Sequence, residues 1–188
     1  MLISKIVSGG QTGVDRGAIE AALELGFPYG GLIPKGRLAE DGQVPLDFAA
    51  MEESTNRNYI HRTEWNVVHS DATLIITNSV PLSGGTKRTV DFCEKHKKPY
   101  LVLERPNSDL VGYEVYQVIE WLIKLAEETL RREALVLNVA GPRESKAKGI
   151  QEETRTIVHE VILLMRQVDG VFTARLKEAL RNPSQSNE

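Results

Sequence analysis

The first 25 residues combine an apolar run, a glycine-rich turn and a helical pattern. The apolar run is Leu2–Val7, and the next segment, Ser8–Arg16, reads SGGQTGVDR. Apolar residues then recur on one helical face, at Ile19, Ala22, Leu23 and Leu25. A strand, a glycine loop and a helix in this order predict an anion site, because glycine permits close backbone approach and the first N–H groups of a helix lack internal partners. The alternative is an ordinary strand-to-helix turn with Thr12 as its N-cap.

Four more short apolar runs follow, separated by helical patterns. We predict strands at about 2–8, 29–33, 73–77, 100–104 and 134–139, and helices at about 13–25, 61–70, 86–97, 110–131 and 150–166. The long polar segment between 34 and 60 is predicted to hold one short helix near 46–53. This alternation indicates an α/β fold: a Rossmann-like, three-layer domain with a five-stranded parallel sheet in the order 2-1-3-4-5.

In that strand order, the chain reverses its direction between the first and third strands. Ligands of open α/β sheets bind at such a switch point, outside the carboxyl ends of the strands. Two glycine-rich loops, 9–13 and 78–86, are predicted to meet there, and each precedes a helix. We therefore expect a ligand between these two loops.

The second of these loops carries both flexibility and charge. Gly84 and Gly85 free the backbone, and Thr86 can cap the helix or bond a phosphate oxygen. Lys87 and Arg88 place positive charge in the first helical turn, which opposes the helix dipole but suits an anion. The alternative is that Lys87 and Arg88 are two solvated surface charges.

Basic residues recur in the loops that follow four of the five predicted strands. Several cations at one edge of an acidic protein suggest a polyanionic small molecule, such as a nucleotide or pyrophosphate. The set comprises Arg16, Lys35, Arg37, Lys87, Arg88, Arg143 and Lys146.

Three acidic residues near this edge leave several roles open. Asp15 could bond a ribose or pterin N–H, hold a hydrated Mg²⁺, or simply favour the helix dipole. Glu40 and Asp41, in the long polar segment, could be acid–base or metal groups, or could belong to a solvated turn.

Composition excludes several classes of partner and location. The net charge of −3 gives no general attraction to nucleic acid or to an anionic membrane. Cys93 is the only cysteine, and the four histidines lack zinc-ligand spacing, so we predict a cytoplasmic protein without a protein-ligated metal. We expect one domain, 1–167, followed by a C-terminal helical extension and disordered tail, 168–188.

Six sequence blocks, in order, resemble the molybdenum carrier family and together span about residues 2–166. They are Gly9–Arg16, Pro34–Gly42, Arg62–Val67, Ser70–Ile75, Gly84–Thr86 and Leu137–Ser145. The resemblance implies a Rossmann-like superfamily shared with cytokinin-activating phosphoribohydrolases and the DNA-processing protein of natural transformation. It also implies a nucleotide-like or pterin-phosphate ligand, including molybdenum cofactor, in a glycine-lined cleft.

One position departs from the phosphoribohydrolase motif, Pro-Gly-Gly-x-Gly-Thr-x-x-Glu. When the threonines are aligned, Thr89 stands where those enzymes carry the catalytic glutamate. A hydroxyl cannot act as a carboxylate base near neutral pH, so the hydrolase activity is not expected unless Asp15 or Glu40 substitutes.

These observations lead first to a binding protein for a phosphorylated small molecule, nucleotide-like or molybdenum cofactor. The alternatives are an enzyme or a sensor acting on a nucleotide or its derivative; a homo-oligomer and a molybdoenzyme partner also stay open. The predicted ligand-binding residues are Gly9, Gly10, Gln11, Thr12, Gly13, Asp15, Arg16, Arg37, Gly84, Gly85, Thr86, Lys87 and Arg143.

Overall fold

The computed structural model describes residues 2–55, 57–104, 111–128 and 134–181. Its strands are β1 (Ile3–Val7), β2 (Tyr29–Ile33), β3 (Leu38–Ala39), β4 (Gly42–Gln43), β5 (Met51–Glu53), β6 (Ala72–Thr77), β7 (Tyr100–Glu104) and β8 (Leu135–Ala140). Its helices are α1 (Val14–Glu24), α2 (Tyr59–Val68), α3 (Gly84–Lys95), α4 (Val111–Glu128) and α5 (Ile150–Arg181). The predicted disordered tail, 182–188, lies outside the described residues.

The main sheet confirms the Rossmann-like α/β class but corrects the strand count and order. Six parallel strands lie in the order β5-β2-β1-β8-β6-β7. The expected order placed β6 beside β1, yet β8 lies between them and pairs Ile6 with Leu137 and Leu74 with Val139. Apolar composition could not fix the order, because it does not say which buried strand lies beside which.

The additional strand replaces a predicted helix. Residues 46–53 were expected to contain a short helix, and this was wrong: Met51–Glu53 forms β5 and pairs with Gly31–Ile33. The backbone groups at the edge of β2 need partners, and this pairing outweighs the local helical pattern. β3 and β4 form a separate two-stranded hairpin with Glu40 and Asp41 at its tip.

Read from β8, the strand order becomes that of a classical doubly wound sheet. If β8 is counted first and β1, β2, β6 and β7 follow, the sheet reads 3-2-1-4-5, with β5 added at its edge. The switch point then lies between β8 and β6. The loops after these two strands, rather than the loop after β1, flank the crevice directly.

The helices form two groups around the sheet. α1 packs on α5 and α5 on α4, while α2 packs against α3 and β2. A Cβ on Gly17 would lie 2.2 Å from the Gln151 carbonyl oxygen, so a glycine lets α1 and α5 approach closely. The main core lies between the sheet and the first helix group, and includes Ile3, Leu122 and Ile157.

The last helix is continuous from Ile150 to Arg181. The helix expected at 150–166 and the helical extension expected after 168 therefore form one element. The division into a domain, 1–167, and an extension, 168–188, stays a prediction. Within the described parts of the chain, no helix is long and apolar enough to cross a membrane.

Candidate ligand-binding cleft

A cleft of about 560 Å³ opens at the carboxyl edge of the sheet. It lies where the switch point places it, because its walls come mainly from the loops after β6 and β8 and from the first turn of α3. The loop after β1 and one face of α2 complete it. Its lining residues are Gly9, Gln11, Asp15, Arg62, Thr63, Asn66, Thr77, Asn78, Ser79, Pro81, Leu82, Ser83, Gly84, Gly85, Thr86, Thr89, Asn138, Ala140, Gly141, Pro142, Arg143 and Lys146.

The N-terminus of α3 presents unpartnered backbone N–H groups to this cleft. Ser83, the N-cap residue, makes no side-chain capping hydrogen bond. The N–H groups of Gly84, Gly85 and Thr86 have no partner among the described residues. A Cβ on Gly84 or Gly85 would meet nothing within 4 Å, so the space above these groups is open. Such an end carries partial positive charge and favours an anion.

The N-terminus of α1, in contrast, is already occupied by protein oxygens. The Gly13 N–H donates to Gln151 Oε1 at 3.1 Å, and the Val14 N–H donates to the Pro142 carbonyl at 3.2 Å. The Thr12 N–H donates to Gln11 Oε1 at 3.0 Å. The N–H groups of these three residues, at the end of the first glycine loop and the start of α1, therefore have internal partners.

A buried ion pair covers that first loop. Arg62 Nη1 lies 3.0 Å from Asp15 Oδ2, and the two side chains are only 12% and 6% exposed. A Cβ on Gly9 would lie 1.6 Å from Arg62 Nη1, so only glycine leaves room for the guanidinium. The Gln11 N–H also donates to Asp15 Oδ2, at 3.4 Å. Burial raises the pKa of Asp15 above its ordinary value, although Arg62 opposes the shift.

Two further cations line the cleft, and both are exposed. Arg143 Nη1 lies 3.6 Å from Glu40 Oε2, and the Arg143 side chain is 44% exposed. Lys146 follows in the same loop. Because both side chains reach solvent, they can approach an entering anion at little desolvation cost.

Comparison with known proteins identifies the family of the chain. The family model described as "Circularly permutated YpsA SLOG family" matches residues 6–162. The chain belongs to this family. It is also 40% identical to a "putative molybdenum carrier protein" from Syntrophus aciditrophicus SB, whose crystal structure matches with a TM-score of 0.76 over 86% of this chain and 96% of that one. No curated protein matches.

The family assignment confirms the resemblance drawn from the six sequence blocks. It also accounts for the strand order. A circular permutation moves the chain ends while the strands stay in place, so a strand from the C-terminal part of the sequence can lie at the centre of the sheet. Counting from β8 restores the usual order.

The predicted ligand-binding residues of this family member divide into three groups. Seven line the cleft: Gly9, Gln11, Asp15, Gly84, Gly85, Thr86 and Arg143. Two, Thr12 and Arg16, line a neighbouring cavity of about 510 Å³. Four line neither: Gly10, Gly13, Arg37 and Lys87.

Residues in the last two groups have partners within the protein. Arg16 forms a two-point ion pair with Asp41, with contacts of 2.5 and 2.8 Å. Arg37 donates to the Val44 and Pro45 carbonyls, at 3.1 and 2.6 Å. Lys87 pairs with Asp91 at 2.7 Å on the exposed side of α3.

Several lining residues were not among the predicted binding residues. Asn66 accepts the Leu32 N–H at 2.8 Å and donates to the Ser8 carbonyl at 3.2 Å, which fixes the cleft floor at the ends of β1 and β2. Arg62 and Asn66 had a signal, because one of the six blocks contains both. Asn138 had the same signal, since it lies in the block Leu137–Ser145, whereas Thr77 lies outside all six blocks.

No metal centre is formed in the part of the chain that the structure describes. No group of three or more histidine, cysteine, aspartate or glutamate side chains is placed to hold an ion there. Glu40 and Asp41 instead form contacts at the tip of the β3–β4 hairpin.

Proposed function

We propose that this protein binds a phosphorylated small molecule, with the phosphate at the N-terminus of α3. The observation that carries the proposal is the set of unpartnered N–H groups on Gly84, Gly85 and Thr86, which face a cleft at the switch point of the sheet. Phosphate groups favour such helix ends because backbone donors and the helix dipole act together. Arg143 and Lys146, in the loop after β8, add positive charge to the lining of the cleft.

The ligand class follows from the size and lining of the cleft. A volume of about 560 Å³ lies within the range of about 300–1,000 Å³ for small-molecule sites. We infer a nucleotide-like ligand or molybdenum cofactor. Asp15, Gln11 and Gly9 line the same cleft and would face the ring or sugar. The name of the crystallised relative supports a carrier role, in which a cytoplasmic protein binds the molecule and releases it to a partner.

A thermal-shift screen with matched glycine variants tests the phosphate site. Nucleotides and pyrophosphate should raise the melting temperature, since ligand at about 100 times its dissociation constant adds about 2.7 kcal/mol. Gly85→Asp places a carboxylate among the free N–H groups and should sharply reduce the shift. Gly112→Asp is the control: Gly112 is also the second residue of its helix, and its Cβ would also meet nothing within 4 Å. No shift with any phosphate compound at millimolar concentration contradicts the proposal.

A transfer assay tests the carrier role separately. The purified protein should retain molybdenum cofactor released from a molybdoenzyme, protect it from oxidation and pass it to a cofactor-free apoenzyme. Protection no better than that given by Gly85→Asp would contradict the carrier role, while nucleotide binding would be unaffected by that result.

A second candidate is an enzyme that cleaves a nucleotide derivative. The buried Asp15 carboxyl, whose pKa is raised inside the cleft, favours it, because such groups serve as general acids or bases. Thr89, at the position of the catalytic glutamate of phosphoribohydrolases, donates to the Gly85 carbonyl at 3.2 Å and supplies no carboxylate. We therefore expect no adenine from AMP in a long incubation. Adenine formation that is lost in Asp15→Asn would establish the enzyme.

A further inference from the structure

The Glu40 carboxylate lies in a ring of hydrogen-bond donors. The Thr12 hydroxyl and the Ser145 N–H both donate to Oε1, the latter at 3.1 Å. The Ser145 hydroxyl donates to Oε2 at 2.5 Å, and Arg143 Nη1 lies 3.6 Å from the same oxygen. These donors outweigh the desolvation of the carboxyl group and hold the pKa of Glu40 below its ordinary value.

This set of donors is the kind that binds oxyanions in proteins. A backbone N–H, two hydroxyls and a guanidinium surround the two oxygens of one carboxylate, and phosphate sites use the same kinds of donor. The Thr12 hydroxyl is further polarised because it accepts the Glu144 N–H at 3.3 Å. The anion here is a side chain of the protein itself.

Glu40 can leave this position while the hairpin stays attached. The neighbouring tip residue, Asp41, is held independently by its two-point ion pair with Arg16. The Glu40 N–H also donates to Gln11 Oε1 at 2.9 Å, so the backbone keeps its own contact. The side chain borders the neighbouring cavity of about 510 Å³, through which an ion can reach it.

We propose that Thr12, Ser145 and Arg143 form a second oxyanion site, and that Glu40 is an intramolecular competitor which an entering tetrahedral oxyanion displaces. The site is distinct from the N-terminus of α3, so this inference goes beyond the proposed function. It also gives Arg143 two alternative partners: Glu40 in the free protein and the oxyanion in the bound one. The chemical class is a phosphate, free or ester-linked, or another tetraoxo anion such as molybdate.

Removing the competitor should increase affinity, which a purely structural role would not do. Glu40→Ala should bind inorganic phosphate and molybdate at least about tenfold more tightly than the unsubstituted protein in isothermal titration. Glu40→Gln, which keeps the shape of the side chain and loses its charge, should show a smaller gain and serves if Glu40→Ala does not fold. Adding Ser145→Ala should remove the gain. Asp41→Ala, which weakens the hairpin without emptying the site, should give no gain.

The titrations are repeated in Gly85→Asp protein, in which the proposed phosphate site on α3 is blocked. If the Glu40 variants still bind the anions more tightly in the Gly85→Asp protein, the result supports the second site, whatever the outcome at α3. AMP in place of inorganic phosphate distinguishes the sources: a gain with free anions alone indicates a free-ion site, and a gain with both indicates a phosphate of a larger ligand. Unchanged or weaker binding by both Glu40 variants, or an equal gain in Asp41→Ala, overturns the proposal.

Discussion

The two glycine loops at the carboxyl edge of the sheet have similar sequences and different environments. Both follow a buried strand, both contain consecutive glycines and both open a helix. In the loop after β1, the N–H groups of Thr12, Gly13 and Val14 donate to protein oxygens. In the loop after β6, the N–H groups of Gly84, Gly85 and Thr86, the first three residues of α3, remain without partners among the described residues.

The difference arises from the direction that the chain takes after β8. β8 lies between β1 and β6, but its loop leads into α5, which packs on α1, and so crosses the first glycine loop; the Pro142 carbonyl would lie 2.5 Å from a Cβ on Gly13. The hairpin tip also contacts this loop, because the Thr12 hydroxyl donates to Glu40. A glycine-rich turn before a helix thus provides potential donors, and the neighbouring loops decide whether those donors are free for a ligand.

Removing Arg62 should give the largest loss of stability, because it leaves the Asp15 carboxylate buried without a counter-charge beside the loop after β1. Arg62→Met is expected to lower the free energy of unfolding by about 3–5 kcal/mol at pH 7, measured by urea denaturation. Burial raises the pKa of Asp15, so the folded protein favours its protonated form more than the unfolded chain does. The contribution of Asp15 to stability is therefore present at acid pH and lost as the pH rises through its folded pKa.

The deficit of Arg62→Met should accordingly be smaller at pH 5 than at pH 7. Lys87→Met, which removes an exposed cation, is the control and should change stability by less than about 0.5 kcal/mol. An equal deficit at both pH values would show that Arg62 acts by packing rather than by balancing the Asp15 charge.

Alanine at one glycine in each loop should have opposite effects. Gly13 has a φ of 79°, and a Cβ on it would lie within 3 Å of backbone atoms. Gly13→Ala should therefore lower the free energy of unfolding by about 3 kcal/mol. Gly85 lies in a helix with open space above it, so Gly85→Ala should stabilise by up to about 1 kcal/mol. Thermal unfolding of both variants checks this. Similar losses in both would mean that the second loop is as closely packed as the first.

Arg143 should matter for ligand binding and little for folding. Arg143→Ala is expected to weaken the best nucleotide or pyrophosphate ligand by about 1.5–3 kcal/mol, the range for hydrogen bonds to charged groups. Arg143→Lys should recover only part of this, because an ammonium lacks the planar fork. Isothermal titration measures the affinities, and urea denaturation supplies the control. Unchanged affinity in Arg143→Ala would confine the site to the glycine loop after β6.

The smallest expected effect is the pH dependence of stability that comes from the tip of the β3–β4 hairpin. The pKa of Glu40 lies below its ordinary value of 4.5, and the pKa of Asp41 is also lowered, chiefly by the hydrogen bond from Arg16. Their contribution to stability is present above the ordinary carboxyl range and is lost as the pH falls through the folded pKa values. The amide signal of Ser145, measured by NMR, should therefore titrate below pH 4.5. A midpoint above that value would contradict the hydrogen bonds assigned to Glu40.

Much of the fold was predictable because local patterns specify single elements. Apolar runs and glycine positions predicted β1, β2, β6, β7 and β8 and the helices between them. The order of the strands was not, because β8 pairs with β1 across about 130 residues of sequence, and nothing local records that pairing.

The site was predictable in part for the same reason. Gly84, Gly85 and Asp15 were expected in the cleft and line it. The sequence could not show that Arg16 and Arg37 would turn to Asp41 and to backbone carbonyls, since these partners are brought close only by the β3–β4 hairpin. Charge near a strand end is thus a weaker signal than a glycine loop at the switch point.

The most direct test of the difference between the two loops is an NMR titration of the protein with pyrophosphate, following the backbone amides of both. We expect the amide signals of Gly84, Gly85 and Thr86 to shift with a single dissociation constant, and those of Gly13 and Val14, whose N–H groups already donate to protein oxygens, to change much less. The same titration of Gly85→Asp should leave the signals of Gly84 and Thr86 unmoved. Shifts at Gly13 and Val14 without shifts at Gly84 and Gly85 would contradict the account, because the anion would then bind at the loop whose donors are already occupied.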